Sequence, residues 1–143
     1  MGSVGTVKNG ATVYLDTNPI IYLTEGNAAF KASITGLFTE FDRAGARLVT
    51  SELVLTEALV LPLRNKDVEL VAVYERLFDT LIEALPISRE VLVLAASLRA
   101  ETPGLKTPDA IHLATAILAN ADVFLSGDHG IKNLPGSMQK LSV

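Results

Sequence analysis

Cysteine is absent from the 143 residues, which removes disulfide frameworks, thiolate zinc sites and cysteine nucleophiles together. Aromatic residues make up only 6% of the chain, so a core drawn from its 49% hydrophobic share must be filled mainly by Leu, Val, Ile and Ala. That filling suits an α/β domain with a buried sheet. No uninterrupted apolar run approaches the roughly 20 residues needed to span a bilayer, and the opening MGSVGTVKNG lacks an apolar signal core. The protein is therefore expected to be soluble and cytoplasmic, with no membrane partner. Gly2 and Thr6 fit a loose myristoylation pattern, but residues 1–11 are read as a flexible leader and 12–143 as a single domain.

Positive charge is also scarce. Twelve Lys and Arg against 16 Asp and Glu give a formal net charge of -4, which argues against a general basic coating for nucleic acid. Phosphate chemistry stays open, because a cation between carboxylates and phosphate supplies the missing charge.

What is present is an alternation of short aliphatic runs and amphipathic segments. TVYLD at 12–16 reads as a strand ending on an acid, with Asn18 as the cap and Pro19 as the first residue of a short helix to Leu23. Ile34, Leu37, Phe38 and Phe41 recur at helical spacing, and Gly45 closes that helix. ARLVT is a second strand, Ser51 caps ELVLTEALVL and Pro62 stops it; Val68 to Phe78 is helical. LIEALPI at 81–87 is a third strand placed at an edge by Pro86, and Ser88 caps the next helix. Thr107 as cap, followed by Pro108 and Asp109, opens a helix through Ala119, ADVFLS is a fourth strand and MQKLSV a short fifth. Strands alternating with helices predict a three-layer α/β/α domain with a mainly parallel sheet of four to five strands. Ligands of such sheets bind beyond the carboxyl ends of the strands.

Four acids stand apart from their neighbours. Asp16 ends an apolar strand, and Glu57 lies within LVLTEALVL, where an idle charge is costly unless paired or metal-bound. Asp109 begins a mostly apolar helix, and Asp128 follows a buried strand. Singly, each has an ordinary reading as a turn acid, a helix-dipole partner or a surface residue. Jointly they repel unless a cation, a proton or a basic partner is among them. Oxygen-only ligation suits Mg²⁺ or Mn²⁺, and a metal-dependent phosphodiesterase is the natural reading.

YLDTNPIIYL, SELVLTEAL, TPDAIHLATA and ADVFLSGDHGIKNL resemble, in order and spacing, the PIN-domain family, in particular its VapC-type toxin ribonucleases. The resemblance spans residues 12–143. It implies an endoribonuclease in which Asp16 and Asp109 are the chief ligands of one or two Mg²⁺ or Mn²⁺ ions. Glu57 would be a further ligand, directly or through water, and Asp128 the fourth acid. Asn18 would support the cluster. Ser126, where the family often has threonine, would contact the phosphate. The -GDHG- around Asp128 departs from the toxins more than the earlier blocks do. The resemblance also implies a small antitoxin partner and a homodimer.

Lys106, Lys132 and His129 are candidate contacts to the RNA backbone, whereas His112 reads as a structural or surface residue. Arg43, Arg47, Arg64 and Lys66 form no basic stripe. An RNA-processing nuclease outside a toxin pair shares all these features and differs in lacking a neighbouring antitoxin gene. A phosphate-accepting receiver module fits less well, since Asp16 has no acidic neighbour and the second strand ends in Thr50 and Ser51. A catalytically silent binding domain would have no reason to keep four repelling acids.

Overall fold

The computed structural model describes residues 7–26, 28–127 and 134–143. Along them run β1 (Thr12–Leu15), α1 (Thr17–Glu25), α2 (Ala28–Arg43), β2 (Arg47–Ser51), α3 (Leu53–Arg64) and α4 (Val68–Thr80). There follow β3 (Glu83–Leu85), α5 (Arg89–Glu101), α6 (Thr107–Leu118), β4 (Val123–Ser126) and β5 (Gln139–Ser142). The strands form one sheet in the order β3-β2-β1-β4-β5, with β1 parallel to β4, β4 to β5 and β2 to β3. Successive residues of a strand point to opposite faces. Val13, Tyr14 and Leu15 are nevertheless all fully buried, as are Phe124, Leu125 and Ser126, so helices cover both faces of the central strands. This is the three-layer architecture expected from the sequence.

The described residues fall into two compact units, one ending at Leu48 and resuming at Ala121, the other running from Val49 to Asn120. In the first, β1, β4 and β5 carry α1 and α2. Tyr14 and Phe124 are register partners whose rings stack with centroids 5.3 Å apart. Helix α2 buries Ile34, Leu37 and Phe41, one stripe at helical spacing. Gly45 follows it with φ +66°, a conformation that favours glycine.

The end of the expected leader is tied to this unit. Val7 is buried, the Gly10 amide donates to the Ala44 carbonyl, and Lys8 Nζ lies 2.9 Å from Asp122 Oδ1. Asp122 Oδ2 also accepts from the Thr12 amide at 2.9 Å. The Thr12 amide first, and Lys8 second, hold the Asp122 carboxyl below its ordinary 3.8. A depressed carboxyl contributes stability above its unfolded-state pKa, which is lost as pH falls through the folded-state value. Asp122→Asn is expected to cost about 1 kcal/mol at pH 7, kept small by solvent screening at the exposed lysine. The deficit should shrink below pH 3.8, and urea midpoints on either side of that value measure it. An equal deficit at both would contradict the linkage.

In the second unit α5 packs on α6 around Val91, Ala95, Ala110, Ile111 and Ala114, with Leu94 and Leu98 against them. Alanine at three of these positions lets the helix backbones approach closely. Ser88 caps α5 as expected, accepting from the Val91 amide at 3.2 Å. Pro62 does not stop α3: the helix runs on to Arg64. The missing amide costs one hydrogen bond only two residues from the helix end, and the ring itself is buried. No described helix is long and apolar enough to cross a membrane.

Candidate metal-binding active site

Asp16 sits where β1 hands over to α1. Its amide donates to the Leu125 carbonyl at 2.9 Å, so the chain is still tied to β4 when it leaves the strand. The backbone is extended (φ -70°, ψ 173°), and Oδ1 accepts from the Thr17 amide at 2.8 Å. Asp16 is therefore the cap of α1, and Asn18 is the second helical residue rather than the cap. The acid wins the position because it stands at the last extended residue, where a side-chain oxygen reaches an amide lacking a helical acceptor. Oδ2 accepts from Ser126 Oγ at 2.8 Å. Asp16 is only 6% exposed, and it stands at the start of α1 with donors on both oxygens.

The Ser126 hydroxyl is fully buried and already committed to Asp16. The bond orients the acid. Gly127 follows, and a Cβ there would lie 3.4 Å from Asn18 Cβ, which keeps Asn18 at the same strand end as Asp16 and Ser126. Ser126→Ala would leave a buried carboxylate oxygen short of one donor. The expected cost is about 1–3 kcal/mol, read as a lower denaturation midpoint; an unchanged midpoint would show that water replaces the hydroxyl.

In the second unit, Glu57 projects from α3, and its Oε1 lies 2.8 Å from His112 Nε2 of α6. The Glu57 side chain is 31% exposed and that of His112 1%. The charge in an apolar run is thus answered by a hydrogen-bonded partner that sequence reading had placed apart, 55 residues away. Asp109 is half-buried in the first turn of α6, one turn before His112. The cap position of that helix belongs to Lys106, not Thr107, and makes no side-chain cap bond, so Asp109 supplies the negative charge that the helix start favours. The Lys106 side chain is exposed.

Asp128, His129 and Lys132 lie outside the described residues. Among the described residues no group of three or more His, Asp or Glu side chains is disposed to hold a metal. The donor chemistry nevertheless fits a hard cation. Asp16 is buried and fixed from both oxygens, and a carboxylate oxygen has a second lone pair for a ligand bond.

The fold and these acids define an open parallel α/β domain of the kind that places its ligand site beyond the carboxyl ends of the strands. Within that class the chain belongs to the PIN domain family, whose model matches residues 13–137. Among solved structures, VapBC2 from Rickettsia felis, bound to a DNA fragment from its promoter, superposes with a TM-score of 0.69 at 18% identity. The match covers 92% of this chain and 98% of that one. A toxin–antitoxin complex from Klebsiella pneumoniae gives 0.64 at 22% identity over 88% of this chain and 94% of that one. At these identities the likeness shows the fold. No curated protein sequence gives a significant match.

Proposed function

We propose that the protein is a divalent-metal-dependent endoribonuclease, the toxin of a toxin–antitoxin pair, with Asp16, Glu57, Asp109 and Asp128 as its ligand set for Mg²⁺ or Mn²⁺. The observation that carries this reading is the Asp16 carboxylate: buried, capping α1 through the Thr17 amide and held by Ser126 at the end of a central strand. A carboxylate so desolvated and so fixed is poorly explained by a turn alone, for which one capping oxygen would suffice.

A bound divalent ion supplies Lewis-acid polarisation of a phosphoryl oxygen and a water of lowered pKa. The chain's own part is positional. Thr17 and Ser126 each fix one oxygen of Asp16, and Asn18 remains at the same strand end. Asp109 adds charge in the first turn of α6, and Lys106 offers an exposed cation beside it for a phosphate backbone. Asp128, His129 and Lys132 complete the proposal as fourth acid and RNA contacts. A net charge of -4 makes the ion the means by which an acidic chain meets an anionic substrate.

Asp109→Asn should lower metal-dependent cleavage of RNA by about 10²-fold or more, assayed on denaturing gels with folding checked by circular dichroism. Undiminished cleavage would remove Asp109 from the ligand set. The structural likeness to a toxin–antitoxin complex supports an antitoxin partner, and a homodimer in a cytoplasmic setting completes the proposal. Co-expression with a short neighbouring reading frame should yield a stable complex in which cleavage is silenced; RNA cleavage unaffected by every adjacent product would favour an RNA-processing role.

A further inference from the structure

We infer that His112 is a positioning residue, fixing the Glu57 carboxylate for divalent-cation binding; the inference rests on the metal-dependent reading above. Position 112 lies within a continuous buried run of α6 from Ala110 to Ala116, where an aliphatic side chain would be the ordinary occupant. An imidazole there needs a polar partner, and Glu57 Oε1 at 2.8 Å provides one. With 1% exposure His112 is out of reach of RNA, so its influence must pass through the groups it touches.

The contact has a direction. His112 is held in the packed interior, while Glu57 ends a flexible side chain that remains 31% exposed. A glutamate on a helix surface samples many rotamers, and ordering it costs conformational entropy that weakens any ion it binds. The rigid imidazole restricts that freedom by holding Oε1. His112 also lies one turn from Asp109, so it ties the acid of α3 to the helix that carries Asp109. Hydrogen-bonding partners of ligating groups typically change metal affinity about 10–100-fold when removed.

The test is Mn²⁺ binding by titration calorimetry on the full chain, with folding followed by circular dichroism. His112→Leu, which keeps the volume and removes the donor, should weaken Mn²⁺ binding about tenfold or more. His112→Gln, whose amide nitrogen stands near the position of Nε2, should restore most of the affinity. His112→Asn, too short to reach Glu57, should not restore it. In a Glu57→Ala background His112→Leu should have no further effect, because the two residues act as one unit. Wild-type affinity in His112→Leu, or a loss of the same size in the Glu57→Ala background, would overturn the inference. If His112→Leu fails to fold, equal affinities in the Gln and Asn variants would overturn it instead. Absence of Mn²⁺ binding by the wild type would defeat the metal-dependent reading itself and the inference with it. Binding lost in Asp16→Asn but retained in His112→Leu would defeat the inference alone.

Discussion

Asp16→Asn is expected to lose RNA cleavage by on the order of 10²–10³-fold while the protein stays folded. The separation of the two effects follows from the two jobs of the carboxylate. As the cap of α1, Asp16 needs only an oxygen for the Thr17 amide, and asparagine caps as well as aspartate does. In its proposed role as an ion ligand it would need its charge, which asparagine lacks. The Ser126 hydroxyl can accept from the new amide group or donate to its oxygen, so the buried pair remains bonded. Asp16→Ala differs: it loses the cap, at about 1 kcal/mol, and removes the Asp16 bond of the buried Ser126 hydroxyl, at about 1 kcal/mol more. Urea denaturation of wild type, Asn and Ala forms, alongside cleavage rates, should show activity lost in both variants and stability lost mainly in the second. Equal destabilisation of both would mean that the charge itself holds the strand–helix junction together.

The largest loss of stability is expected from Phe124→Ala, at about 3–5 kcal/mol. Its ring is fully buried and stacks on Tyr14 at an interplanar angle of 12°. Few other aromatics are available to refill the space, since the whole chain has five Phe, three Tyr and no Trp. Against the roughly 5–15 kcal/mol that holds a typical domain together, such a cavity removes a large fraction. It also reaches the site. Residues two apart on a strand share a face, so Tyr14 and Phe124 lie beneath Asp16 and Ser126 on the paired strands. Phe124→Leu should recover most of the loss in denaturant midpoint and restore cleavage with it. Low activity in a fully stable Phe124→Leu protein would instead show that the aromatic stack orients the acid directly.

Much of this organisation is legible in the sequence because local chemistry writes it there. The abrupt end of TVYL on an acid announces the junction at Asp16, and the Ser88 cap and the helix opening near Pro108 follow from side chains competing for free amides. Where two residues can serve the same local purpose, the sequence is ambiguous. Asn18 and Asp16 are both good caps, and only the extended backbone at Asp16 decides between them. Thr107 loses the cap position to Lys106 for a similar reason: the helix begins one residue earlier than the side-chain preference suggests. Pro62 reads as a stop because proline lacks a donor, yet so near a helix end the missing bond is tolerated.

The pairings that give the site its character are not legible at all. Ser126 meets Asp16 across 110 residues, because parallel pairing of β1 and β4 sets Leu15 against Leu125 and brings the next residues level. His112 meets Glu57 across 55 residues, and only the packing of α3 on α6 produces that contact. Of these four residues, Asp16 and Glu57 stand out in the sequence by their apolar surroundings, which is the signal that a polar partner exists. Which partner it is depends on strand register and helix packing, neither of which spacing along the chain can supply.

The most direct test of the central claim is cleavage of total cellular RNA by the purified wild-type chain, with Mg²⁺ or Mn²⁺ present, chelated, and then restored, and with the new 5′ ends sequenced. A metal-dependent endoribonuclease should make discrete internal cuts that vanish on chelation, return when the ion is restored, and are missing from the Asp16→Asn protein under every condition. Cuts that persist in chelator, or that Asp16→Asn makes at the wild-type rate, would contradict the claim.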